Sequence, residues 1–200
     1  MKAVRVITGR AVPLERSDVD TDQIIPASWL KRVERTGFGQ GLFAQWRDQR
    51  DFVLNRPEHA GATILLAGPN FGTGSSREHA VWALSDYGFQ AVVSPRFGDI
   101  FRNNATKSGL VPVQVPQEVV DQLMAAVKKD PALELTIDVE RLVVEVPSVG
   151  IESVFPLDAF TQHRLLEGLD DIGLTLRYEA DISAYEARRP AWLPAVSPSA

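Results

Sequence analysis

The chain has no cysteine. That excludes disulfides, a thiolate zinc site, a cysteine nucleophile, and any cysteine-ligated iron–sulfur cluster held by this chain alone. Histidine is scarce. His59, His79 and His163 lie too far apart in sequence for an i, i+4 ligand pair, so no histidine metal site is indicated. No stretch approaches the ~20 apolar residues of a membrane helix. The first residues, Met1-Lys2-Ala3-Val4-Arg5-Val6-Ile7, are broken by Arg5 and lack the apolar run of a signal peptide. There is no internal repeat and no heptad array. We therefore expect a cytoplasmic protein with no membrane partner.

What remains is ordinary globular material: 200 residues, 44% hydrophobic and 24% charged. That suits one domain, or one domain with an appendage. The net charge of −5 speaks against nucleic-acid binding without a basic patch. The charge is uneven. Residues 1–110 hold 14 Lys/Arg against 11 Asp/Glu, a net of +3, whereas residues 111–200 hold 7 against 15, a net of −8. An anionic ligand belongs with the first half; the acidic second half reads as a solvated surface.

Short apolar runs alternate with helical patterns. Val4–Ile7 and Ala11–Leu14 read as strands around a Gly9-Arg10 turn. Gly37, Gly39 and Gly41 argue for a mobile loop over 29–41. Ala62–Ala67, Ala91–Ser94 and Leu110–Val115 read as buried strands. Helices are expected over Ser75–Tyr87, Gly98–Ser108 and Gln117–Lys129. The alternation indicates an α/β fold with parallel pairing. A hairpin over 133–146 and a strand over 151–155 follow, then helices over 158–169 and 172–188.

The informative stretch is Gly68-Pro69-Asn70-Phe71-Gly72-Thr73-Gly74-Ser75-Ser76-Arg77-Glu78-His79. It is a strand exit, a glycine-rich turn and a helix start. A helix N-terminus offers free N–H groups and partial positive charge to an anion. Arg77 adds a planar fork matched to a carboxylate. A P-loop would need lysine where Ser75 stands, and a dinucleotide fingerprint would need a small residue where Arg77 stands. Ser75-Ser76-Arg77-Glu78 also has the form of a capping box, which would tie up Ser75 in helix initiation. Asp20 and Asp22 suit helix-capping aspartates better than paired acid/base groups.

The segment 70–79 resembles the signature of the swivelling domain of the aconitase superfamily. Ser94-Pro95-Arg96-Phe97-Gly98-Asp99-Ile100-Phe101 and Lys107-Ser108-Gly109-Leu110-Val111-Pro112-Val113 are similar to its second conserved segment. Asp20-Thr21-Asp22-Gln23-Ile24-Ile25-Pro26 is similar to its entry segment. With the 29–39 stretch, the chain resembles the small-subunit family of bacterial 3-isopropylmalate dehydratases from Met1 to about Pro190.

The resemblance implies a β/β/α three-layer swivelling domain over 1–156, a helical extension over 157–190 and a flexible tail over 191–200. It implies one chain of a hydro-lyase that isomerises a hydroxy-dicarboxylic acid of leucine biosynthesis through an unsaturated intermediate. By match to the motif, Ser75 is the base, Ser76 a hydrogen-bond donor to a substrate carboxylate, and Arg77 the carboxylate clamp. Gly72, Gly74, Asp20 and Asp22 position the loop. Val33 faces the substrate side chain, with Lys31 and Arg32 as cationic alternatives on the same loop. The [4Fe-4S] cluster of the family sits on a large subunit, so this chain alone is expected to be inactive. Two other readings stand: a related hydro-lyase acting on homoaconitate, citraconate or another methylmalate, and a free dicarboxylate-binding module.

Overall fold

The computed structural model describes residues 1–31, 36–190 and 192–193. Its elements are β1 (Val6–Leu14), α1 (Thr21–Ile24), α2 (Ala44–Arg47), β2 (Ile64–Ala67), α3 (Glu78–Tyr87), β3 (Ala91–Ser94), α4 (Asp99–Ser108), β4 (Val111–Gln114), α5 (Gln117–Lys129), β5 (Glu134–Asp138), β6 (Val143–Val146), β7 (Ile151–Val154), α6 (Ala159–Glu167), α7 (Asp171–Leu176) and α8 (Glu179–Ala187). The seven strands form one sheet in the order β4-β3-β2-β1-β5-β6-β7. β1 through β4 pair in parallel, whereas β1, β5, β6 and β7 pair antiparallel. The α/β expectation holds, but parallel pairing describes only half of the sheet.

β1 joins the two halves. Its first half, Val6–Arg10, pairs with β5, and its second half, Ala11–Leu14, pairs with β2. No turn occurs at Gly9-Arg10. Gly9 sits inside the strand opposite Leu135, and a Cβ there would fall 2.1 Å from Thr63 Oγ1. The glycine serves a close approach, which looks the same in sequence as a turn.

The pleat sorts the core onto two faces. Val12, Leu14, Leu65 and Val92 pack with Ala80, Val81 and Leu84 of α3 and Phe101 and Ala105 of α4. Ile7, Ala11, Ile64, Leu66 and Val93 pack with Val120, Leu123 and Val127 of α5 and with Leu135, Ile137 and Val144 of the antiparallel half. α5 is thus enclosed between the parallel strands and the curling antiparallel ones. Gly88 and Gly109, both left-handed, end α3 and α4 as expected.

Two further expectations change. The 172–188 helix is broken in two, because hydrogen bonds from Arg177 N to Leu174 O and Tyr178 N to Thr175 O tighten the last turn of α7. The glycine-rich stretch beyond residue 36 is packed against α3. Phe38–Gly41 forms a 3₁₀ turn, Phe38 N donates to Asp86 Oδ2 at 3.0 Å, and a Cβ on Gly39 would lie 2.8 Å from Tyr87 N.

His59 is buried in the short turn Pro57–His59. Burial, the main cause, pushes its pKa below the ordinary histidine value, against the opposing charge of Glu58. Above about pH 6.5 the ring is neutral in both states and its contribution to stability is complete. Below that pH the unfolded chain takes up the proton first, so stability falls as pH falls towards the native pKa. We expect His59→Gln to flatten this slope in urea midpoints measured downward from about pH 6.5. An unchanged slope would remove His59 as its source.

Candidate active site

Three loops leave the carboxyl ends of β1, β2 and β3, the edge at which open α/β sheets receive ligands. Backbone hydrogen bonds stitch them together. Gly68 N donates to Arg16 O at 3.1 Å, Asp18 N to Pro69 O at 2.8 Å, and Gly72 N to Val19 O at 2.7 Å. On the other side, Phe71 N donates to Arg96 O at 3.0 Å and Gly98 N to Phe71 O at 2.9 Å. The buried Ser94 hydroxyl lies 2.8 Å from both Gly68 O and Arg96 O. The β2 loop is therefore held from both sides along its backbone, as a preorganised site requires.

Gly72 is the tightest point of this assembly. Its φ is +76°, and a Cβ there would sit 2.3 Å from Phe101 Cγ. Phe101 is itself held edge-on against Phe71 and parallel to Phe97. Gly74 follows with φ +91°, turning the chain towards the start of α3.

The entry segment lies on this turn. Asp20 caps α1 through a hydrogen bond from Gln23 N at 2.8 Å, and the Gln23 side chain accepts from Asp20 N at 3.0 Å. Thr21 N donates to Thr73 O at 2.9 Å, and Thr21 Oγ1 to Ser75 O at 3.3 Å. Asp22 does not cap. It projects from α1 to form an ion pair with Arg77. The structure so brings together Asp20, Asp22, Gly72, Gly74, Ser75, Ser76 and Arg77.

The capping box at Ser75 does not form. α3 begins at Glu78, three residues later than its pattern suggests, with Arg77 at the N-cap position and no side-chain capping bond. Arg77 N donates to Ser75 O at 2.8 Å, closing a tight turn that takes the carbonyl a longer helix would have used. Ser75 and Ser76 are exposed, and neither hydroxyl makes a hydrogen bond among the described residues. Arg77 is mostly covered, with 18% of its side chain exposed. Two uncommitted hydroxyls thus precede Arg77, whose guanidinium is held by Asp22, at a helix start that no side chain closes.

Other candidates separate. Lys31 is exposed at the end of the 27–31 turn, without a bond to this group among the described residues. Arg32 and Val33 lie outside the described residues. His79 is a packing residue, its ring 4.7 Å from Trp82 and 5.3 Å from Phe38. The Asp22–Arg77 pair and the Ser94 bridge were not visible in the sequence. The spacing of 55 residues in the first carries no local signal; the second depends on how two loops meet. Among the described residues no group of three or more His, Cys, Asp and Glu could hold a metal ion.

Comparison with known proteins agrees with this geometry. The family model for the aconitase C-terminal domain matches residues 1–118, and the one for the C-terminal domain of the 3-isopropylmalate dehydratase small subunit matches 171–199. The chain is 64% identical over 194 residues to the 3-isopropylmalate dehydratase small subunit of Parafrankia sp., covering 97% of this chain and 98% of the relative. It is 57% identical to the protein of that name from Rubrobacter xylanophilus, covering 98% of this chain and all of the relative. Among solved structures, 3-isopropylmalate dehydratase from Methanocaldococcus jannaschii superposes with a TM-score of 0.66 at 25% identity, covering 90% of this chain and 98% of that one. Fold, motif and full-length identity converge: the chain belongs to the 3-isopropylmalate dehydratase small-subunit family.

Proposed function

We propose that this chain supplies proton transfer and carboxylate binding to a two-chain hydro-lyase of leucine biosynthesis. That enzyme interconverts 2-isopropylmalate and 3-isopropylmalate through 2-isopropylmaleate. The observation that supports the site assignment best is the pair of uncommitted hydroxyls, Ser75 and Ser76, that precede Arg77 at the uncapped start of α3.

In the dehydration, Ser75 takes the proton from the carbon next to the carbinol carbon. The C–H electron pair becomes the double bond as the C–O bond breaks, and the leaving hydroxyl takes up a proton from a donor on the large subunit and departs as water. In rehydration the Ser75 proton goes to the former carbinol carbon, and water gives its hydroxyl to the neighbouring carbon and its remaining proton back to that donor. A serine oxygen is a poor base unless its ionised form is stabilised; the start of α3 and the Arg77 charge both act in that direction. Ser76 donates to a substrate carboxylate. Arg77 has five N–H donors, so Asp22 can hold the guanidinium in place while the rest of the fork meets the substrate. Val33 is the candidate for the substrate side chain, with Lys31 and Arg32 beside it in sequence.

An iron–sulfur cluster does not fit the donors of this chain, which has no cysteine. The [4Fe-4S] cluster implied by the family belongs to the large subunit, and whatever assists hydroxyl departure comes from that partner. Among the described residues no helix is long and apolar enough to cross a membrane. We place the enzyme in the cytoplasm, with no role for nucleic acid.

The test is anaerobic. The chain is mixed with cluster-loaded large subunit, and the absorbance of the unsaturated intermediate is followed from isopropylmalate. Activity in the mixture and in neither chain alone supports the reading. Turnover of citraconate or homoaconitate in its place would move the substrate. Silence on all of them would favour a dicarboxylate-binding module. Arg77→Lys keeps the charge but loses the fork. It should lower kcat/KM by about 10- to 100-fold, the worth of one charge-assisted bond; an unchanged value would remove Arg77 from the clamp.

A further inference from the structure

α7 and α8 contain no buried residue. Ile172, Leu176, Tyr178, Tyr185 and Trp192 are 58–80% exposed. Tyr178, Ile182 and Tyr185 fall at i, i+4 and i+7 of a helical repeat, the two tyrosines exposed and Ile182 between them partly buried. The start of α7 is tied to the body by Asp171 with Lys107 and Arg164, and by Asp170 with the N-terminal ammonium. Among the described residues, α8 makes no hydrogen bond or ion pair beyond its own neighbourhood. A helix of nine residues is marginal in water without tertiary packing.

Exposed apolar side chains that the chain does not pack call for a surface from elsewhere. We propose that this face of α7 and α8 docks on the cluster-bearing large subunit, an inference that rests on the two-chain reading above. Three arguments select that occupant. The three aromatic side chains and two aliphatic ones present on the order of 600 Å² between them, against about 800 Å² per partner in a stable interface. Their type is also right, since Tyr and Trp are the residues that anchor interfaces.

The second argument is placement. The match to the aconitase domain stops at residue 118, whereas 171–199 matches a domain particular to dehydratase small subunits. Carrying the swivelling domain on a separate chain forfeits the effective concentration a covalent linker provides. A segment particular to the separate chain is where the replacing contact is expected. The third is charge. A second copy would bring together two surfaces from the half of the chain that carries −8, and like charges oppose that pairing.

The test uses the full chain with Tyr178→Asp and Tyr185→Asp combined. It is titrated into anaerobic, cluster-loaded large subunit, with binding read from activity and from sedimentation. The expected result is a Kd raised at least 100-fold, with kcat at saturating small subunit unchanged. That split separates docking from chemistry. Val154→Asp, at a side chain 72% exposed on β7, should leave Kd unchanged. If the charged double variant melts early, Tyr178→Ala with Tyr185→Ala carries the same test, with about a tenfold rise expected.

An unaltered Kd in the variant, or an equal loss from Val154→Asp, overturns the proposal. So does a wild-type chain that dimerises through this face and a variant that loses the dimer but keeps its affinity for the large subunit. If the wild-type chain fails to bind the large subunit, the two-chain reading falls and this one with it.

Discussion

Ser75→Ala is expected to lower kcat by about 10²- to 10⁴-fold, the usual worth of a positioned general base, while the affinity for the large subunit stays as in wild type. The Ser75 side chain holds no part of the fold together among the described residues. Its hydroxyl bonds to no described residue and is exposed. The backbone does the structural work, the Ser75 carbonyl accepting from Thr21 Oγ1 and Arg77 N. Alanine keeps both of those bonds, so the loop should stand and the melting temperature should hold. A loss of this size in a chain that still folds and assembles isolates the chemistry. Ser76→Ala is the comparison: a lost hydrogen bond to a carboxylate should act on kcat/KM and by less. If the two serines cost the same, or if Ser75→Ala is mild, the base lies elsewhere.

Gly72→Ala should cost about 2–5 kcal/mol of stability, from two sources that add. Forcing an L-residue into the left-handed region costs about 1–2 kcal/mol, and inserting a methyl into filled space about 1–3 kcal/mol. The space is filled: the new Cβ would meet the Phe101 ring at 2.3 Å, and that ring is wedged between Phe71 and Phe97. At 2–4 °C per kcal/mol for a chain this long, melting should fall by about 4–20 °C. Gly74→Ala is the internal control. Its φ of +91° carries the backbone cost, but the nearest atom to a new Cβ is 3.5 Å away. It should cost about 1–2 kcal/mol. Equal losses at the two positions would mean that Phe101 gives way and the crowding argument fails. Survivors of Gly72→Ala should also lose activity, because the β2 loop that carries Ser75 leans on Phe101 at this point.

Much of this could be read from local grammar. β3 and α5 occur where their patterns end, because a run of apolar β-branched residues and a 3.6-residue period are properties of the segment itself. The errors share one cause. Gly9 reads as a turn until Thr63 is beside it, and Gly39 reads as freedom until α3 is beneath it. Ser75 and Glu78 have the form of a capping box, yet a tight turn from Arg77 to Ser75 delays the helix. The glycines depend on neighbours distant in sequence, and the Ser75 carbonyl of that turn also accepts from Thr21 Oγ1, 54 residues away. The functional motif was legible as residue types, whereas the Asp22–Arg77 pair, which sets where the guanidinium points, was not. The hairpin over 133–146 was legible, but its joining to the parallel half was not, because β1 changes partners midway and nothing in its composition marks the change.

α3 does two jobs at its two ends. Its N-terminal approach carries the serines and Arg77, and its C-terminal half receives Phe38 and Gly39, the return of the stretch that begins after Lys31. A single helix is thus the common support of both turns, so a change that displaces α3 moves the two together.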